Sequence, residues 1–121
     1  MKAIKIMEMA AAFVYEKPGD SRDSFAFSVP FLNVLLIECL NAENSNREPE
    51  QRLDAAPMLT SPEDDVPYCE KLTRGALPYG LAARYYAAED DAYNENLMQQ
   101  RYYSGIQAAH MMQEVEIEDV Y

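Results

Sequence analysis

Along the first segment Ile4, Met7, Ala11 and Val14 recur at i, i+3, i+7 and i+10. That spacing marks one face of a helix and predicts one from about Lys2 to Tyr15. The turn residues Pro18-Gly19 end it, and Asp23 or Ser24 is placed to cap the next helix. This second helix is predicted from about Ser24 to Asn41, with Phe25, Val29, Leu32, Leu36 and Cys39 as its main stripe and Phe31 and Leu35 widening it. So broad an apolar face suits the most buried helix of the fold. Pro30 lies inside this run, so the helix is kinked there or starts later, capped by Ser28 with Pro30 in its first turn.

Residues 42–66, "AENSNREPEQRLDAAPMLTSPEDDV", carry three prolines, a run of acids and few apolar anchors. The stretch predicts a long loop without helix or strand, beyond a short hairpin around "APMLTS". A loop of this length is functional, disordered or ordered only by a neighbouring subunit, or else a plain surface excursion with that short hairpin. Helical spacing returns at Tyr68, Leu72 and Ala76, with Asp65 as cap and Pro67 in the first turn. Pro78 then removes a helical hydrogen bond and pushes Leu77 away from the α region, so the helix bends or restarts there. Ala76, Gly80, Ala83 and Ala87 form a strip of small residues along which another helix can pack closely, which gives Gly80 a packing role.

"AEDDA" reads as a helix boundary whose acids open a last helix, from about Asp91 to Met111, with Met98, Tyr102, Gly105, Ala109 and Met112 as its stripe. The end of the chain, "QEVEIEDVY", alternates charged and apolar residues with the period of a strand. It suits an extended acidic tail that joins a hairpin from the long loop or adds to a partner's sheet. The expected fold is mainly α: a small bundle of about four helices over residues 1–111, including the loop 42–66, followed by the tail 112–121.

Composition changes this picture in one respect. With 21 acidic against 10 basic residues the net charge is −11, which argues against binding to a phosphate backbone. The charge is uneven: from Glu89 to Tyr121 eight acids face Arg101 alone. Cys39 and Cys69 lack CxxC spacing, and Cys39 sits in an apolar run, so both read as thiols of a reducing compartment. The most apolar stretch, Val29 to Leu40, contains Asn33 and Glu38 and falls short of a membrane span. Nor does the opening, interrupted by Glu8, read as a signal peptide.

Chemistry is sparse. His110 is the only histidine, better suited to a helix end than to a triad or a zinc site. Asp64-Asp65 and Glu89-Asp90-Asp91 lack the alternating ligands and internal glycine of a calcium loop, so capping explains them. The four glycines are scattered and cradle no phosphate. No catalytic residue, metal or cofactor is expected, and the chain does not read as an enzyme. Six of nine tyrosines, Tyr79, Tyr85, Tyr86, Tyr93, Tyr102 and Tyr103, fall between residues 79 and 103. Adjacent pairs cannot both enter one core. Tyr85, Tyr86 and Tyr103, with Val115, Ile117, Val120 and Tyr121 in the tail, are the candidate partner surface.

"FLNVLLIECLN", followed across a proline-rich acidic loop by "LPYGLAARYYAAEDDAYNENLMQQRYYSGI", resembles the small helical head–tail connector (adaptor) proteins of tailed bacteriophages over roughly residues 24–106. The positions that carry the resemblance are Leu32, Asn33, Leu35 and Leu36, then Leu77, Pro78, Tyr79, Gly80, Leu81 and Ala82, then Asp90 and Asp91. Such motifs mark a fold and not a ligand site, and the long loop and the tail lie outside the pattern.

The resemblance implies a structural virion protein, made in the host cytoplasm and placed in the neck. It would form a ring of about twelve copies that bridges portal protein to the next neck, stopper or tail component around the DNA exit channel. The acidity would then keep the lumen from binding DNA phosphates as the genome passes. Two alternatives stand beside it: a stopper or tail-completion role in the same neck, and an acidic DNA mimic or other small binding protein. A mimic should spread its acids along one exposed face, whereas here many sit at caps, in the loop and in the tail.

Overall fold

A computed structural model describes residues 1–14 and 25–110 of the chain, and over these the protein is mainly helical. Its elements are α1 (Ala3–Val14), α2 (Phe25–Glu38), α3 (Leu40–Ser45), a single 3-10 turn (Pro49–Gln51), α4 (Glu70–Thr73), α5 (Leu77–Ala88) and α6 (Ala92–Ala109). α5 is the centre, contacted by α1, α2, α4 and α6. Leu77, Pro78, Gly80, Leu81, Ala82, Ala83 and Tyr85 of α5 are buried, so it is closed on most of its circumference.

The helix breakers of α5 are structural devices. Pro78 stands in its first turn, where a missing N–H costs nothing, and α5 restarts there after a turn over residues 74–76. The helix predicted from Pro67 shrinks to α4, because Tyr68 is used differently. It precedes α4, and its hydroxyl donates to the Leu36 carbonyl at 2.6 Å, satisfying one of the last acceptors of α2. Gly80 lies against the buried ring of Tyr102 on α6, and a Cβ there would stand 2.8 Å from the ring. Gly105 faces the Gly75–Ala76 turn so closely that a Cβ would stand 2.0 Å from the Gly75 carbonyl oxygen.

"AEDDA" divides its labour between two helices. Asp90 adopts the left-handed region (φ 56°). The Asp90 and Asp91 amides donate back to the Ala87 and Tyr86 carbonyls at 3.2 and 3.0 Å, a Schellman closure of α5 with aspartate in glycine's usual place. Asp91 then caps α6 by accepting from the Asn94 amide at 3.1 Å.

Other expectations need correcting. The core face of α1 is Ala3, Ile6, Met7, Ala10 and Ala11, with Ile4 and Val14 only half-buried. This is a rotation from the predicted stripe that turns alanines inward. α2 starts before Ser28, so Ser28 is not its cap; the side chain is buried, 2.7 Å from the Tyr85 hydroxyl. Pro30 lies inside α2 on its exposed side. The stretch 42–66 is not free of structure, since it takes in part of α3 and the 3-10 turn. Among the described residues no strand forms; the nearest thing to a hairpin is one bridge between Lys2 and Asp65.

That stretch is held by side-chain amides and by its own chain. Asn33 donates to the Leu59 carbonyl at 3.0 Å and accepts the Leu59 amide at 2.8 Å. Asn44 does the same for Leu53 at 2.9 and 2.8 Å. The nearly buried Glu43 carboxylate accepts from Arg47 Nε at 2.6 Å and from the Cys69 amide at 2.7 Å, while Arg47 reaches on to the Gln51 and Pro67 carbonyls. The far end closes on α1: the Ala3 and Ile4 amides donate to the carbonyls of Asp64 and Pro62 at 2.8 and 2.7 Å. α1 has no Ser, Thr, Asp or Asn at its start, so the loop serves as its cap.

Candidate functional site

Among the described residues every buried side-chain nitrogen and oxygen has a hydrogen-bond partner, and no three His, Cys, Asp or Glu side chains gather as a metal site. At the edge of the core the buried Tyr102 and Cys39 meet the exposed Glu38. The Tyr102 hydroxyl donates to Glu38 at 2.7 Å and lies 3.6 Å from the Cys39 sulfur. Burial pushes the Cys39 thiol up to about 11 and the Tyr102 hydroxyl well above its ordinary range. Both groups are protonated at neutral pH, so the cluster fastens α6 to the end of α2 and supplies no nucleophile.

The surface is more informative. α2 is apolar almost all the way round, Glu38 being its one charged residue, yet only one side is covered. Phe25, Val29, Leu32, Leu35 and Leu36 are buried. On the other side Phe27, Phe31, Val34 and Ile37 are 76%, 43%, 45% and 67% exposed. Their i, i+4, i+7, i+10 spacing lines them up as a ridge, with Pro30 exposed among them. Four large apolar side chains in a row expose on the order of 400 Å², the size of the largest apolar patch on a typical monomer, which is often a functional one. In the loop Met58 is 83% exposed.

The motif residues fall into the interior. Leu32, Leu35, Leu36, Leu77, Pro78, Gly80, Leu81 and Ala82 are buried, and Asn33 is the loop anchor. Tyr79 is half-buried, its ring stacked on Phe13 at 4.9 Å with the Arg101 guanidinium 5.9 Å above it. The candidate tyrosines separate. Tyr85 is buried against Ser28, which removes it from the partner surface. Tyr86 is half-buried, its hydroxyl given to the Phe13 carbonyl at 2.9 Å. Tyr103, 54% exposed, remains on the surface, as does Tyr93 at 79%. Val115, Ile117, Val120 and Tyr121 lie outside the described residues.

Periodicity alone does not reveal the ridge, because it places Phe31 in the buried stripe and Phe27, Val34 and Ile37 in none. A signal is present all the same: an apolar run too broad for one buried face leaves residues for a second. Among the described residues no helix is long and apolar enough to cross a membrane. Compared with protein-family models, curated proteins and solved structures, the chain matches none.

Proposed function

We propose that this chain is a structural assembly protein, a head–tail connector that forms a ring between portal protein and the next neck component of a tailed bacteriophage. The observation that carries the reading is the apolar ridge of Phe27, Phe31, Val34 and Ile37 on a helix whose other side is already core. A contiguous apolar surface of this kind suits a protein–protein contact. The resemblance of the two motif stretches narrows that general reading to the connector, and with it come the virion neck as location and DNA as a passenger of the lumen.

Three of the acids favour this reading over a DNA mimic. Glu43 is held by Arg47 and the Cys69 amide, Asp64 by Thr60 and Ser61, and Asp91 by Asn94. These carboxylates are engaged by their own chain, whereas a mimic must present them to a partner. Light scattering of the purified chain, with negative-stain imaging and capture by portal protein, tests the proposal. Rings with a central hole that bind portal are expected. A strict monomer that does neither overturns it.

A further inference from the structure

The ridge on α2 has a counterpart on the same molecule. A groove of about 610 Å³ runs along the outer side of α1, lined by Met1, Lys5, Glu8, Met9, Ala12 and Arg74. Met1, Lys5, Met9 and Ala12 succeed one another at helical spacing. Measured by helical rise, the ridge from Phe27 to Ile37 is about 15 Å long and the helical part of the groove, from Ala3 to Ala12, about 14 Å, with Met1 just beyond it. Methionines wall the groove, and their unbranched, polarisable chains adapt to the shape of what enters.

We infer that the occupant of this groove is a second copy of the chain: the α2 ridge of one copy lies in the α1–Arg74 groove of the next. This rests on the assembly reading above and specifies how it is built. Ridge and groove share no residue, so each copy offers both at once and the contact is heterologous, able to repeat from copy to copy. The mode is that of a helix with i, i+4, i+7 anchors in an apolar groove.

Charge supports the same pairing. Two molecules of net charge −11 repel one another. α2 brings a single carboxylate to the contact, Glu38 beside Ile37, while the groove carries the cations Lys5 and Arg74 with the single acid Glu8. Arg74 lies 3.7 Å from Glu70 of its own chain, so Lys5 is the groove cation left to face Glu38, and the remaining contact is between apolar side chains. The four ridge side chains bury their apolar area in the exchange, each an anchor of the kind whose removal weakens an interface strongly.

The test uses two blocked forms of the full chain, each first checked by circular dichroism for the helix content of the parent. One carries Phe31→Glu and Ile37→Glu on the ridge; the other carries Ala12→Glu in the groove, with Met9→Gln as a second, milder groove variant. In size-exclusion chromatography with light scattering, the parent is expected as a multimer and each blocked form as a single 13.8 kDa chain. Mixed one to one, the two forms are expected to pair through the one intact ridge and groove left between them, giving twice that mass and no more.

A mixture that stays monomeric overturns the inference. So does a groove-blocked form that still assembles, which would mean that ridges meet each other in a closed dimer or use another surface. A chain ending at His110 is expected to assemble like the parent. Loss of assembly there would give the groove or ridge to residues 111–121 instead and would also overturn it. A parent that is monomeric removes the assembly reading itself, whereas rings from the parent combined with a silent mixture remove only the ridge-in-groove contact.

Discussion

Gly105→Ala sets two physical effects against each other with opposite signs. Gly105 stands inside α6, and by helix propensity alone an alanine there should stabilise the protein by about 1 kcal/mol. Against this, the new Cβ would lie 2.0 Å from the Gly75 carbonyl oxygen, 2.8 Å from its carbonyl carbon and 3.0 Å from Ala76 Cα. All three are main-chain atoms, so no rotamer change relieves the contact. Reaching an ordinary 3.4 Å from the 2.0 Å start requires α6 and the turn to separate by 1.4 Å. Overpacking costs about 1–3 kcal/mol, and a displacement imposed on backbone belongs at the upper end. Subtracting the propensity gain leaves a net loss of about 2 kcal/mol, or roughly 8 °C in Tm for a domain of this size. Thermal melts followed at 222 nm, with urea titration as a second measure, read this directly. Gln99→Gly, in the middle of the same helix, calibrates propensity against Gln99→Ala and should lie about 1 kcal/mol below it. A Gly105→Ala variant that melts at or above the parent temperature would refute the close-packing argument.

Four further outcomes are expected. Glu43→Ala removes the carboxylate that joins Arg47 to the Cys69 amide; because Arg47 keeps some solvent contact, a loss of about 2–3 kcal/mol is expected in urea titration, with Glu43→Gln losing less. Asp90→Gly relieves a left-handed residue at the end of α5 and should raise Tm by about 2 °C, a gain of roughly 0.5 kcal/mol; a fall would count against the closure described. At pH 8 the Cys39 thiol, pushed up to about 11, is ionised in about one molecule in a thousand. A disulfide reagent should therefore label the half-buried Cys69 first and reach Cys39 only on unfolding, and simultaneous labelling of native protein would contradict this. The Asn94 side chain and amide hold the Asp91 carboxyl below its usual 3.8, and the Thr60 amide and hydroxyl with the Ser61 amide do the same for Asp64. Depressed values stabilise the fold above the unfolded pKa, and this stability is lost progressively as the pH falls from there through the lower folded pKa. The gap in Tm between the parent and Asp64→Asn or Asp91→Asn should thus hold from pH 7 to about 4 and narrow beneath 3.8; narrowing already between pH 7 and 5 would be inconsistent.

Much of the helical frame was legible because it depends on local rules. The restart at Pro78, the packing role of Gly80 and the start of α6 at Asp91 come from residues that break, crowd or cap a helix wherever they occur. The alternation of Tyr85 with Tyr86 and of Tyr102 with Tyr103 between interior and surface comes from helical geometry. The features that could not be read depend on partners distant in sequence. α1 is apolar on most sides, so which side turns inward is set by how closely α5 approaches, and alanines won over Ile4 and Val14. The stretch 42–66 has few apolar anchors, and its order comes from Asn33, Asn44 and Glu43, polar residues that periodicity ignores. On α2 the same uniform apolarity that marked a core helix concealed that half of it faces outward, so the ridge became visible only once the covered side was known.

The cap that residues 62–64 provide for α1 bears on the order of events during synthesis. α1 is made before the groups that close its first turn, which lie some 60 residues later, as the Lys2–Glu63 pair at a separation of 61 illustrates, and α5, the helix it contacts most, comes after those. A short helix without its cap and packing surface is marginal in water. The leading segment therefore waits, at about 5–20 residues per second, several seconds on the ribosome before its neighbours emerge. Its maturation is tied to the middle of the chain, and α1 with its outer groove is completed only after α2 and its ridge have already left the ribosome.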